Sequence, residues 1–202
     1  MKRKRRTQRL FLLLLIITFN TLNAQDFYLG LKTGVGVSDF QYDGSPAENL
    51  SPKIMPNVAL TYNYRFPESI FGMNIETGYS NRGANIDSEN LDYRLNFVDL
   101  PIMLDIYPVA FVRLNVGGEM SYLASAKNRL DDGSKEDVTR NFDQRTVFSA
   151  LAGINLSMTY FMDLGVRYNY PITNVSQNDP LLGIENTKVH YVQAYMMLKI
   201  AN

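Results

Sequence analysis

The segment Phe71 to Pro108, FGMNIETGYSNRGANIDSENLDYRLNFVDLPIMLDIYP, restricts the fold more than any other. It holds two long runs in which apolar and polar residues alternate, separated by a polar stretch rich in Gly, Asn and Asp. Phe71, Met73, Ile75, Thr77 and Tyr79 share one face of the first run. Val98, Leu100, Ile102, Leu104 and Ile106 share one face of the second. Asn74, Glu76, Ser80, Arg82, Asp99 and Asp105 fall on the opposite faces. A period of two marks strands whose two faces meet different surroundings. The runs exceed the ~5–6 residues of an ordinary strand. They reach the ~9–11 that a tilted membrane-crossing strand needs.

The same pattern recurs along the chain and predicts eight strands. They are Phe27–Ser38, Lys53–Phe66, Ile70–Arg82, Tyr93–Ile106, Ala110–Ala126, Thr146–Ser157, Tyr160–Pro171 and Lys188–Ile200. Short turns are expected near Pro67-Glu68-Ser69, Tyr107-Pro108-Val109 and Met158-Thr159. Long polar loops are expected at Asp39–Pro52, Gly83–Asp92, Lys127–Arg145 and Thr173–Thr187. Alternation of short and long connections is the habit of transmembrane barrels, with short turns in the periplasm and long loops outside. An even strand number closes the sheet and leaves no edge for lipid to meet. The expected fold is an all-β, eight-stranded antiparallel transmembrane β-barrel. A secreted lipocalin-like barrel with the faces reversed is the rival. The charged loops gathered at one end and the Tyr residues near strand ends favour the membrane.

The first 24 residues read as an address. Lys2, Arg3, Lys4, Arg5, Arg6 and Arg9 precede an apolar run of ten residues, Leu10–Phe19, and a polar tail ending at Ala24. This is the plan of a secretory signal peptide, with cleavage expected between Ala24 and Gln25. Residues 25–202 would then form one barrel domain in the outer membrane. The formal charge of zero is an average of two parts. Six of the 20 basic residues lie in the signal, so the remainder carries about −6, which argues against nucleic acid as a partner. There is no Cys and one His, His190, which removes disulfides, thiolate chemistry and multi-His metal sites.

Four segments carry a family likeness: Gly30–Phe40 (GLKTGVGVSDF), Ile75–Ala84 (IETGYSNRGA), Phe97–Leu104 (FVDLPIML) and Val116–Ala124 (VGGEMSYLA). Together with Tyr168–Asn174 (YNYPITN), they resemble the PorT-like outer-membrane β-barrel family. The resemblance implies an outer-membrane barrel of eight strands. It also implies a link to the envelope, since the founding member serves type IX secretion.

Function must lie in the lumen, on the wall or in the loops. Parity points Lys32, Arg65, Arg82, Arg113, Arg167 and Lys199 inward, with Glu76, Asp99, Asp105, Glu119 and Asp163. Eight strands enclose a space that side chains fill, so these charges are expected to pair and plug it. Inward glycines, among them Gly34, Gly36 and Gly165, suit a narrow barrel. Parity points His190 outward at the outer lipid interface, away from any lumen chemistry. Pro101, inside a strand, is expected to mark a bulge or bend. Asp131, Asp132, Lys135, Glu136 and Asp137 crowd the third long loop, a candidate site for a protein partner that the closed sheet could lose without unfolding. The expected function is therefore non-catalytic and cofactor-free. It is a structural or interaction role beside outer-membrane lipid, with an envelope or secretion protein as partner. A narrow transport channel, or less readily a membrane hydrolase, is the alternative.

Overall fold

The computed structural model describes residues 27–42, 45–46, 50–86, 91–129, 135–142, 144–178 and 185–201. The signal segment lies outside the described residues. Eight long strands form the wall: β1 (Phe27–Tyr42), β3 (Leu50–Arg65), β4 (Phe71–Ile86), β5 (Leu91–Val109), β6 (Val112–Arg129), β8 (Thr146–Ser157), β9 (Met162–Pro171) and β11 (Glu185–Ala201). Three short strands, β2 (Ser45–Pro46), β7 (Lys135–Asp137) and β10 (Ser176–Asn178), fold back on their neighbours at the outer rim. Each wall strand pairs antiparallel with the next, and β11 pairs with β1 from Leu29↔Ala201 to Tyr42↔Thr187. That last ladder closes the barrel, as the even strand number requires.

Alternation becomes inside and outside. Leu100, Ile102, Leu104, Leu164, Val166 and Val192 stand exposed on the outer wall, while their neighbours in sequence are buried. A one-residue slip would exchange the two sets, so the pattern fixes the register. Most strands run three or four residues further outward than the alternation alone suggests, because the polar segments above the lipid belt still pair. The second turn also differs. β5 continues through Tyr107 and Pro108 to Val109, which pairs with Val112, and the reversal takes only Ala110 and Phe111.

No register shift marks Pro101, where a bulge or bend is expected. The β4–β5 ladder lapses opposite Glu76 and Thr77 but resumes in the same register, with Ile75↔Ile102 below and Gly78↔Asp99 above. A missing N–H costs the pairing there without shifting it. The register shifts instead between Pro52 and Asn57 of β3, and between Asn96 and Phe97 of β5. At the first shift, Ser38 of β1 reaches past β3 to Gly83 of β4. Its hydroxyl donates to the Gly83 carbonyl at 2.6 Å and accepts from the Gly83 amide at 2.9 Å. One serine thus satisfies backbone groups that a regular ladder would have paired.

Two glycines are required by close approach. A Cβ at Gly36 would lie 2.2 Å from the Tyr191 ring, and one at Gly34 would lie 2.6 Å from Cβ of Tyr195. Both tyrosines point into the lumen from β11, and only a bare backbone on β1 leaves them room.

Candidate functional site

The lumen is filled by three tiers of charge under an apolar cap. In the lowest tier, Arg113 lies 3.3 Å from Asp163 and 3.7 Å from Asp105. Lys199 approaches Asp163 at 2.9 Å. Asp105 accepts from Asn63 and Asn115, and Arg113 donates to the Tyr28 hydroxyl. In the middle tier, Glu76 receives two hydrogen bonds from Arg167, 2.7 and 2.9 Å, and a third from Lys32. The Tyr195 ring lies under both cations, 4.8 Å from Lys32 Nζ and 5.3 Å from the Arg167 guanidinium. In the upper tier, Arg82 serves two carboxylates, Asp99 at 3.0 Å and Glu119 at 2.8 Å. Ser121 donates to Asp99 at 2.6 Å, and Asn169 donates to Glu119 at 2.8 Å. Phe97 and Tyr191 cover the guanidinium of Arg82 at 4.7 and 4.9 Å.

Ten of the eleven residues that parity points inward make these contacts. Arg65 does not join them. It lies exposed at the periplasmic rim, 4.7 Å from the Tyr107 ring, where it donates to the Ser69 carbonyl at 3.3 Å. β3 ends at Arg65, so inward parity there aims below the lumen. Without it the tiers hold five cations and five anions. Such charges tolerate burial only when each is paired and hydrogen-bonded. Between the middle and upper tiers lies a void of about 10 Å³, bordered by Lys32, Asn57, Glu76 and Glu119. That is room for about one water molecule.

Above the tiers the lumen turns apolar, which alternation in the strands did not announce. Leu95, Phe97, Leu123, Ala126, Val147 and Val189 line the upper mouth, and Val138, Phe142 and Val175 descend into it from the connecting segments. Phe142 is 7 % exposed and Val138 2 %. The segment is clipped to the wall. The Val138 amide donates to the Ala126 carbonyl at 3.0 Å, and the Ala126 amide donates to the Thr139 hydroxyl at 2.8 Å. The third long loop, expected as a partner site, is therefore also partly a plug. The signal was present as two apolar residues in a polar stretch, Val138 and Phe142.

Of the candidate loop residues, Asp131 and Asp132 lie outside the described residues. Lys135 and Glu136 form β7 against Arg129 and Asn128. Asp137 is exposed and caps the turn, accepting from the Thr139 amide at 2.9 Å and the Thr139 hydroxyl at 2.5 Å. These bonds, helped by Lys127 and Arg140 nearby, hold its carboxyl below the usual range. His190 lies on the outer face, its Nδ1 2.6 Å from the Tyr168 hydroxyl. Among the described residues no group of three or more His, Cys, Asp or Glu could hold a metal ion.

The family model for the outer membrane protein beta-barrel domain matches residues 23–177. The chain belongs to this family. No curated protein sequence matches it. Among solved structures it is similar to Neisserial surface protein A, with 16% identity, a TM-score of 0.55 and coverage of 85% of this chain and 97% of that one. It is also similar to Ail, the attachment invasion locus protein of Yersinia pestis, in complex with the heparin analogue sucrose octasulfate. There the identity is 16%, the TM-score 0.52, and the coverage 87% of this chain and 100% of that one. At such identity the likeness establishes the fold: a closed outer-membrane barrel.

Proposed function

We propose that this protein is a non-catalytic, non-conducting outer-membrane scaffold whose outer rim engages another envelope protein. The observation that carries the reading is the filled lumen. Five cations and five anions pair across it, and an apolar cap closes its outer mouth. A rigid, closed wall of this kind positions loops rather than passing solutes. The surface offered at the rim includes Lys127, Asp137, Arg140 and Arg145, all exposed. The finer identity we propose is an accessory of type IX-like secretion. It is supported by the four segments that resemble the PorT-like family, and its partner is a component of that machinery.

Planar-bilayer recording on the refolded barrel tests the closed lumen. The expected trace is flat. Steady ion-selective steps that shift when Glu119 is neutralised would make the protein a narrow channel instead. Affinity purification from solubilised outer membranes tests the partner. Recovery of a secretion component that is lost when Lys127 and Arg140 are reversed in charge supports the scaffold. Recovery of lipid alone overturns it.

A further inference from the structure

The polar filling of the lumen is linked from tier to tier except at one level. From the lower tier, Asp105 accepts from Asn115, Asn115 accepts from Asn155, and the Tyr195 hydroxyl donates to Asn155 at 2.8 Å. Arg167 reaches the same hydroxyl at 3.5 Å and carries the chain on to Glu76 and Lys32. There it stops. Among the described residues no hydrogen bond joins Lys32, Glu76 or Arg167 to Arg82, Asp99 or Glu119 above.

The break is also where charge is unequal. The middle tier holds two cations to one carboxylate, and the upper tier one cation to two carboxylates. The void of about 10 Å³ lies between them, bordered by Lys32 and Glu76 of the middle tier and by Asp99 and Glu119 of the upper, with Asn57 beside them. Asn57 is 6 % exposed. Its Nδ2 donates to the Tyr191 hydroxyl at 3.3 Å, and its Oδ1 accepts from no protein group. A buried acceptor of this kind calls for a donor.

We infer that the void is a binding site for one water molecule that hydrogen-bonds the middle tier to the upper. The water accepts from Lys32, whose ammonium has three N–H groups and gives one to Glu76. It donates to Asn57 Oδ1 and to a carboxylate of the upper tier. A buried water makes about three such bonds, and the space matches about one probe sphere. The border selects water over an ion. Three carboxylates repel an anion. The Lys32 ammonium repels a cation, and tiers of equal charge leave nothing for a cation to neutralise. Water meets both demands, since it accepts and donates. Through Asn57 the bridge extends to Tyr191, whose ring covers Arg82. The inference rests on the tiers alone, and not on the scaffold reading or on a partner at the rim.

The test is a crystal structure of the refolded full chain at a resolution that shows ordered solvent, from crystals grown in sodium chloride and in rubidium chloride. The expected result is one density peak about 2.7–3.2 Å from both Asn57 Oδ1 and Lys32 Nζ, the hydrogen-bond range, with no anomalous signal in rubidium. Anomalous signal there, or oxygens gathered around the peak at metal-ligand distances of about 2.0–2.6 Å, makes the occupant a cation and overturns the inference. A site without a peak overturns it too. Asn57→Leu, of similar volume, should remove the peak and loosen the tiers from each other. The urea-midpoint shifts of Lys32→Met and Glu119→Gln should depart from additivity in the parent and depart less in Asn57→Leu. Equal departures in the two backgrounds overturn the bridging role. Should Asn57→Leu fail to fold, the parent crystals decide.

Discussion

Glu76 on β4 and Arg167 on β9 join across the full width of the lumen, with hydrogen bonds of 2.7 and 2.9 Å. In the closed order β1-β3-β4-β5-β6-β8-β9-β11 these two strands are four apart in either direction. The pair is therefore a strut through the barrel centre, and the parallel two-point geometry is the strongest that arginine makes with a carboxylate. Glu76 also holds Lys32. Glu76→Ala should leave two buried cations facing each other and cost about 3–5 kcal/mol. Urea unfolding in detergent micelles measures it. A cost near that of a surface substitution would mean that water already relieves the tier.

Leu164 stands exposed on the outer wall, and Val166 and Val192 follow nearer the rim. If this level is the bilayer midplane, Leu164→Arg should destabilise the barrel by about 2–4 kcal/mol. The same change at Tyr170, closer to the outer rim, should cost about 0–1 kcal/mol. Unfolding in phospholipid vesicles compares the two. Equal costs would place the membrane at a different height on the wall.

Much of this architecture was legible because a membrane barrel writes its faces into parity. Leu164 out and Asp163 in follow from the period of two alone, as do the inward charges of the tiers. Arg65 shows the limit: parity gives direction but not depth, and an inward residue on the last pair of a strand points beneath the lumen. Pro101 shows another. Proline reports a missing donor, yet the register held there and shifted near Pro52–Asn57, where a serine from a non-adjacent strand supplied the bonds. The apolar cap was hidden for a third reason. Val138 and Phe142 sit in an aperiodic segment, and what buries them is contact with Leu95 and Leu123, far away in sequence.

The turn at Asp137 should respond to acid. Its carboxyl is held below the usual range by the bonds from Thr139, so the folded loop binds its proton less readily than the unfolded chain. The stabilisation is complete above the ordinary aspartate value of about 4. It is lost as pH falls from there through the lowered folded value. Amide exchange at Val138 and Ala126, whose backbone groups anchor this segment, should quicken over that window. Asp137→Asn removes the titrating group and should flatten the profile. A profile unchanged by the substitution would assign the effect to another group.

The cap over the lumen yields the last prediction. Phe142 packs among Leu95, Leu123 and Val147 at the upper mouth, where the wall strands rise above the lipid belt and no acyl chain can cover them. Phe142→Ala should therefore open a cavity and cost about 3 kcal/mol, as truncation of a buried aromatic does. Arg140→Ala, two residues earlier and exposed, should stay within about 0.5 kcal/mol. The loss at Phe142 should be local before it is global. The tiers and the closed ladder below remain intact, so heat-modifiable migration persists while exchange quickens at Leu123, whose amide donates to the Arg145 carbonyl at 2.7 Å. Removing residues 130–144 altogether should have the larger form of the same effect, because it strips Val138 and Phe142 together and leaves Leu95, Leu123 and Ala126 facing water. Urea midpoints for the three variants, with exchange at Leu123 and Ala126, make the comparison. Equal and small effects in all three would return this segment to the role of a solvated loop.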